Sequence, residues 1–130
     1  MATRREVEEF LSQFKVKLEV WGIVFLDGRE KNMKALADIN ITPVQRLEEI
    51  KTIQVEHYSE GPIRDLLNDY GEMWVFGKDI KGVETYIKVT IGRPNLKTIC
   101  ISFHRAEYPM TYPLKTDEKE EWLCYRTLKI

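Results

Sequence analysis

The stretch Met73 to His104 reads MWVFGKDIKGVETYIKVTIGRPNLKTICISFH, and its pattern decides the fold. It divides into three strands of an antiparallel meander, with Gly82 in the first connection and Gly92 in the second. The last two strands alternate. Ile87, Val89 and Ile91 fall on one side and Tyr86, Lys88 and Thr90 on the other; Ile99, Ile101 and Phe103 oppose Thr98, Cys100, Ser102 and His104. Side chains along a strand point to opposite faces with a period of two, so each set shares a face. One face is apolar enough to be core. The other collects Tyr86, Lys88, Ser102 and His104, and any chemistry the protein does is expected there. Trp74 and Phe76, in the first strand, are expected in the core.

Upstream of the meander the period changes to that of helices. Thr3 and Glu6 form a capping-box pair, and Val7, Phe10, Leu11, Phe14 and Leu18 make one apolar stripe, which predicts a helix from Arg4 to Val20. Ile23 to Leu26 reads as a brief strand or an apolar connector before the turn Asp27-Gly28. A second helix is predicted over Glu30 to Ala37 with Met33, Leu36 and Ala37 inward. A third follows Thr42-Pro43-Val44-Gln45, where Thr caps, Pro takes the first helical position and Gln closes the box. It is expected to bury Val44, Leu47 and Ile50 and to leave Arg46, Glu48, Glu49 and Lys51 in solvent. Pattern is lost between Val55 and Gly71: Ser59-Glu60-Gly61-Pro62 reads as a turn and Ile63 to Asn68 as one or two helical turns. After the meander, Pro109 and Pro113 exclude a helix or central strand, so residues 107–114 are expected to wrap the sheet edge in extended form. Thr116 opens a charged tail with a helical pattern. Helices before strands predict an α+β fold, the N-terminal helices packed on one face of a small antiparallel sheet. The whole is one domain spanning 1–130: a mainly helical part at 1–71, the β-meander at 72–105 and a C-terminal extension at 106–130.

Composition bounds the function. At 130 residues, 43% hydrophobic and 32% charged, the chain is long enough for a single core without disulfides or metal. No apolar run approaches the roughly 20 residues that span a bilayer, so no membrane partner is expected. The first residues, MATRREVEEFLSQF, mix acids with bases around no apolar run, which predicts a cytoplasmic protein without a secretory signal. Cys100 and Cys124 are then expected as two thiols. The net charge of −1 speaks against a dedicated nucleic-acid binder. It hides a gradient, however: residues 76–115 hold seven basic side chains against three acidic, while residues 1–75 hold ten against fourteen.

No metal site or cofactor is expected. His57 and His104 are the only histidines, the cysteines lie far apart, and phosphate-binding glycine loops and nucleophile elbows are absent. What remains is the polar sheet face. A phosphate fits between side chains on neighbouring strands, where opposed pairs stand about 4.5–5.5 Å apart. His104 can move a proton near neutral pH, Lys88 can neutralise charge on a phosphate oxygen, and Tyr86 can hydrogen-bond a phosphate or stack on a base. The bland readings are a solvent-facing histidine at a strand end, and a Tyr and Lys set there by β-propensity and solvation.

The run MWVFGK, IKG-E-YIKVTIG and TICISFH resembles the MqsR family of bacterial mRNA interferase toxins, whose fold is RelE/YoeB-like. The likeness covers about residues 6 to 105 and includes the order of elements. It implies a type II toxin that cleaves mRNA without metal by attack of a ribose 2′-hydroxyl on the adjacent phosphate. RNA and a cognate antitoxin protein are the partners it implies. The family's tyrosine falls on Tyr86, its lysine two residues on falls on Lys88, and its basic residue after Ser-Phe falls on His104, a histidine where the best-known members carry lysine. His104 is then the proton donor, Lys88 the stabiliser of the transition state and Tyr86 a phosphate or base contact. Lys78, Arg93 and Arg105 are candidate phosphate contacts, although the strand parity of Arg105 opposes that of His104. The amide that the family carries after its strand tryptophan is replaced here by Val75, and its earlier lysine is missing near Tyr58-Ser59. These departures set the alternative: a catalytically reduced RNA- or protein-binding module with the same fold.

Overall fold

The computed structural model describes residues 1–65 and 71–115. Among these residues three α-helices, α1 (Arg4–Trp21), α2 (Glu30–Ile39) and α3 (Pro43–Lys51), and a 3₁₀ turn (Val55–His57) accompany five strands, β1 (Ile23–Phe25), β2 (Tyr58–Arg64), β3 (Glu72–Ile80), β4 (Val83–Thr90) and β5 (Thr98–Arg105). The fold is α+β. The sheet is larger than the predicted three-strand meander and is mixed: its order is β1-β5-β4-β3-β2, with β1 parallel to β5 and the other pairs antiparallel.

The two helices with complete start signals form as their residues dictate. Thr3 and Glu6 cap α1 reciprocally, and Thr42 and Gln45 do the same for α3 behind Pro43. Each box satisfies two backbone N–H groups that a helix start leaves open. The α1 stripe Val7, Phe10, Leu11, Phe14 and Leu18 is buried as predicted. Phe10 stacks on Trp74 with ring centroids 4.7 Å apart, and Tyr58, Phe76, Ile87, Val89, Cys100 and Phe103 complete the core beneath it.

Other helix faces differ from prediction, because the deciding partners are distant in sequence. On α2, Asn32, Ala35 and Ile39 are buried, while Met33 is 65% exposed. Asn32 turns inward because its amide completes the edge of β5. It donates to Leu26 O (2.8 Å) and Ile101 O (2.9 Å) and accepts from Phe103 N (3.1 Å). β1 thus covers the first half of that edge and one side chain covers part of the second. On α3, Val44 is 72% exposed and Arg46 is buried. Arg46 forks onto both oxygens of Asp27 (2.8 and 3.0 Å) and lies 3.7 Å over the Phe25 ring, so a partner 19 residues away overrides its place on the predicted solvent face.

β2 is a correction of kind. Gly61-Pro62 reads as a turn, yet the segment pairs with β3 as an edge strand, with two register shifts and a cis Gly61–Pro62 bond. An edge strand tolerates the missing proline N–H, and irregular pairing absorbs it. Ile63 and Arg64 are therefore strand and Asp65 follows it in irregular backbone; residues 66–68 of that predicted helical segment, and the predicted helical tail from Thr116, lie outside the described residues.

A bulge in β5 changes the faces. Lys88 pairs with Ser102 but Val89 pairs with Cys100, so Ile101 is the extra residue. The alternation therefore reverses there. Phe103 stays on the core face, but Cys100 joins it, against the straight reading of 98–104. Burial pushes the Cys100 thiol up to about 12. In a Cys124→Ser background, iodoacetamide should leave the native protein unlabelled at pH 8 and label Cys100 only in denaturant; rapid native labelling would contradict this burial.

Residues 106–115 cross the open face rather than wrap its edge. Glu84 holds them: Ala106 N donates to its carbonyl (2.8 Å), Met110 N to Oε1 (3.1 Å) and the Tyr112 hydroxyl to Oε2 (2.7 Å). Arg4 adds a bond to Leu114 O (2.9 Å). The strap lies on Gly77. A Cβ there would sit 2.8 Å from Met110 Sδ and closer still to Tyr112 Oη. Gly77→Ala should lift the strap at a cost of about 1–3 kcal/mol. Hydrogen exchange at Met110 N, which is bonded to Glu84 Oε1, should then quicken at least about fivefold; an unchanged rate would mean that Gly77 does not seat it.

Candidate functional site

Two cross-strand rows form the floor of an open cleft. Val75, Lys88 and Ser102 stand side by side on β3, β4 and β5, and Gly77, Tyr86 and His104 make the next row. The cleft has a volume of about 720 Å³. Its walls come from the start of α2, from Ser59 and Glu60 on β2, and from Tyr108 to Thr111 of the strap. The three residues with expected catalytic roles, Tyr86, Lys88 and His104, all line it.

The rings of Tyr86 and His104 stack, with centroids 5.2 Å apart and planes 12° from parallel. Lys88 Nζ lies 5.9 Å from the centroid of the Tyr86 ring. His104 Nδ1 is 2.9 Å from Arg105 O. A carbonyl only accepts, so Nδ1 carries the proton in that bond and Nε2 is the nitrogen left for a ligand. Burial, with the negative charges of Glu60 and Glu107 behind it, raises the Tyr86 phenol above its ordinary value, so its hydroxyl keeps its proton and serves as a donor.

Arg29 was not singled out by sequence. It sits at the N-cap of α2 without capping it by side chain. Instead its Nη1 reaches Ile101 O (3.2 Å) and Ser102 Oγ (3.3 Å), which sets a guanidinium on the cleft wall. Nothing local in the sequence predicts this; the signal is only an arginine one residue after the Asp27-Gly28 turn.

Lys78, Arg93 and Arg105 do not line the cleft. Lys78 is bound on the helix side of the sheet, by Glu49 (2.8 Å), Glu49 O (3.1 Å) and Thr52 Oγ1 (2.8 Å). Arg93 lies in the β4–β5 loop, where Lys17 donates to its carbonyl (2.7 Å). Arg105 is exposed and pairs across with Thr85, outside the Tyr86–His104 row. His57 is accounted for locally, its Nδ1 accepting from Gln54 N at 2.8 Å. The basic excess of residues 76–115 is therefore not gathered in the cleft. There Arg29, Lys31 and Lys88 face Glu30, Glu60 and Glu107, three charges of each sign. Lys31 pairs with Glu107, and that hydrogen bond holds the carboxyl below its ordinary value.

Among the described residues no three His, Cys, Asp or Glu side chains are grouped to hold a metal ion, and no helix is long and apolar enough to cross a membrane. Comparison with protein-family models, with curated proteins and with solved structures finds no match for this chain.

Proposed function

We propose that the protein is a metal-independent endoribonuclease of the MqsR/RelE type, the toxin of a type II toxin–antitoxin pair. One observation carries the reading: Tyr86, Lys88 and His104 stand together on one open sheet face, beside Arg29. In the reaction a ribose 2′-oxygen bonds to the adjacent phosphorus and its proton passes to solvent. The bond to the 5′-oxygen breaks, and the imidazolium form of His104, keeping its Nδ1 proton on Arg105 O, gives that oxygen the proton from Nε2 and is left neutral. Lys88 and Arg29 offset the charge that grows on the phosphoryl oxygens, and the Tyr86 hydroxyl donates to one of them. The products are a 2′,3′-cyclic phosphate and a 5′-hydroxyl. On this reading the protein acts in the cytoplasm on mRNA and is restrained by a cognate antitoxin protein.

The test is direct. Purified protein in excess EDTA should cut a single-stranded RNA, and induced expression should arrest growth unless the neighbouring gene is expressed with it. RNA left intact at micromolar protein, together with normal growth, would refute the proposal.

A specific observation favours a second reading, a catalytically reduced binding module of the same fold. Val75, 1% exposed, occupies the floor where the family carries an amide, and the cleft's charges balance. A balanced cleft draws a polyanion only weakly from a distance. That reading expects RNA or protein binding without cleavage.

A further inference from the structure

We infer that Tyr108 is the platform on which an unpaired base of the RNA stacks, so that the substrate must be single-stranded at the cut; this rests on the ribonuclease reading above. Tyr108 lines the cleft and is 78% exposed. An aromatic ring left so open gains little from folding, yet its backbone is fixed on both sides. Glu107, immediately before it, is tied to Lys31 at the start of α2. Pro109, immediately after, restricts Tyr108 to extended conformations. Met110 and Tyr112 are bonded to the Glu84 carboxylate, and the strap rests against Gly77. The backbone that carries the ring is therefore held beside the cleft before any ligand arrives, and binding has only the side-chain torsions left to order.

The chemistry of the cleft says what such a ring would meet. The floor supplies partners for one phosphate and its ribose, Lys88, His104 and the Tyr86 hydroxyl, and opposing acids offset the remaining positive charge. Affinity must therefore come from something besides charge. Every nucleobase has a π-face, and stacking on an aromatic side chain is tolerant of sequence. A base inside a duplex is already stacked on its neighbours and cannot offer that face without being turned out.

The experiment uses the full chain and a 2′-O-methyl RNA of roughly eight nucleotides, within the range that single-strand sites cover. The methyl group blocks 2′-oxygen attack, and one base is replaced by fluorescent 2-aminopurine. Wild-type protein should bind and quench the probe, and the same strand in a duplex should not compete. Tyr108→Ala should bind about 5- to 150-fold more weakly and lose the quench. Tyr108→Phe and Tyr108→Trp should stay within about threefold of wild type, because the ring and not the hydroxyl carries the contact. Wild-type affinity and quench in Tyr108→Ala, or a loss in Tyr108→Phe equal to that in Tyr108→Ala, would overturn the inference while leaving the ribonuclease reading intact. A wild-type protein that binds no RNA would overturn both.

Discussion

Replacing His104 with alanine should cut RNA cleavage by about 10²- to 10⁴-fold, the range a positioned proton donor contributes. The fold should survive. His104 is partly buried at the end of β5, and what it gives stability is its stack on Tyr86, about 1 kcal/mol. His104→Phe separates the two roles, because it keeps an aromatic partner for Tyr86 and has no proton to give. It should be as inactive as His104→Ala and closer to wild type in thermal stability. Lys88→Ala should also be slow, with RNA binding less affected than turnover, because its charge is needed most when the phosphorane forms. Cleavage that persisted in His104→Ala and in Lys88→Ala would remove the roles assigned to them.

The second large effect is on stability. Asn32 is 4% exposed and joins the end of β1 to the outer edge of β5. Leu26 O and Ile101 O each keep another donor from Arg29 when the amide is removed, at 3.3 and 3.2 Å. Phe103 N keeps none. A buried N–H left unpaired costs about 1–3 kcal/mol, and two further hydrogen bonds are lost with it. Asn32→Leu should therefore lower the unfolding free energy by about 3 kcal/mol, read from the denaturant midpoint at constant slope. Asn32→Asp should be no better: a carboxylate accepts from Phe103 N but cannot donate to two carbonyls. Both changes should also slow cleavage, because the start of α2 carries Arg29. A variant as stable as wild type would show that solvent replaces the amide.

How much of this was legible depends on where each residue's partner lies. α1 and α3 could be read because their start signals and apolar spacing are local. The site's central residues could be read because β4 and the end of β5 alternate without interruption from Tyr86 to Lys88 and from Ser102 to His104. The bulge at Ile101 could not, since an extra residue leaves no mark on composition, and Cys100 was assigned to the wrong face in consequence. Gly61-Pro62 hid β2, because the same dipeptide serves a turn and an irregular edge strand. Asn32 was not singled out, Arg46 was read as solvated surface and Lys78 as an RNA contact; each is committed to a partner on another element. Polar residues carry no periodic signal that tells a buried, paired position from a solvated one. The structure thus brings Tyr86, Lys88 and His104 together in one cleft, while Lys78, Arg93 and Arg105 stand aside and Arg29 and the strap supply the walls.

The claim that the Tyr86–Lys88–His104 face cleaves RNA rests most directly on the ends it leaves. Mass spectrometry of a single-stranded RNA incubated with the protein in EDTA should find 2′,3′-cyclic phosphate and 5′-hydroxyl termini, and none after incubation with His104→Phe. Intact RNA, or 5′ fragments that end in a new 3′-hydroxyl at the cut, would contradict the account.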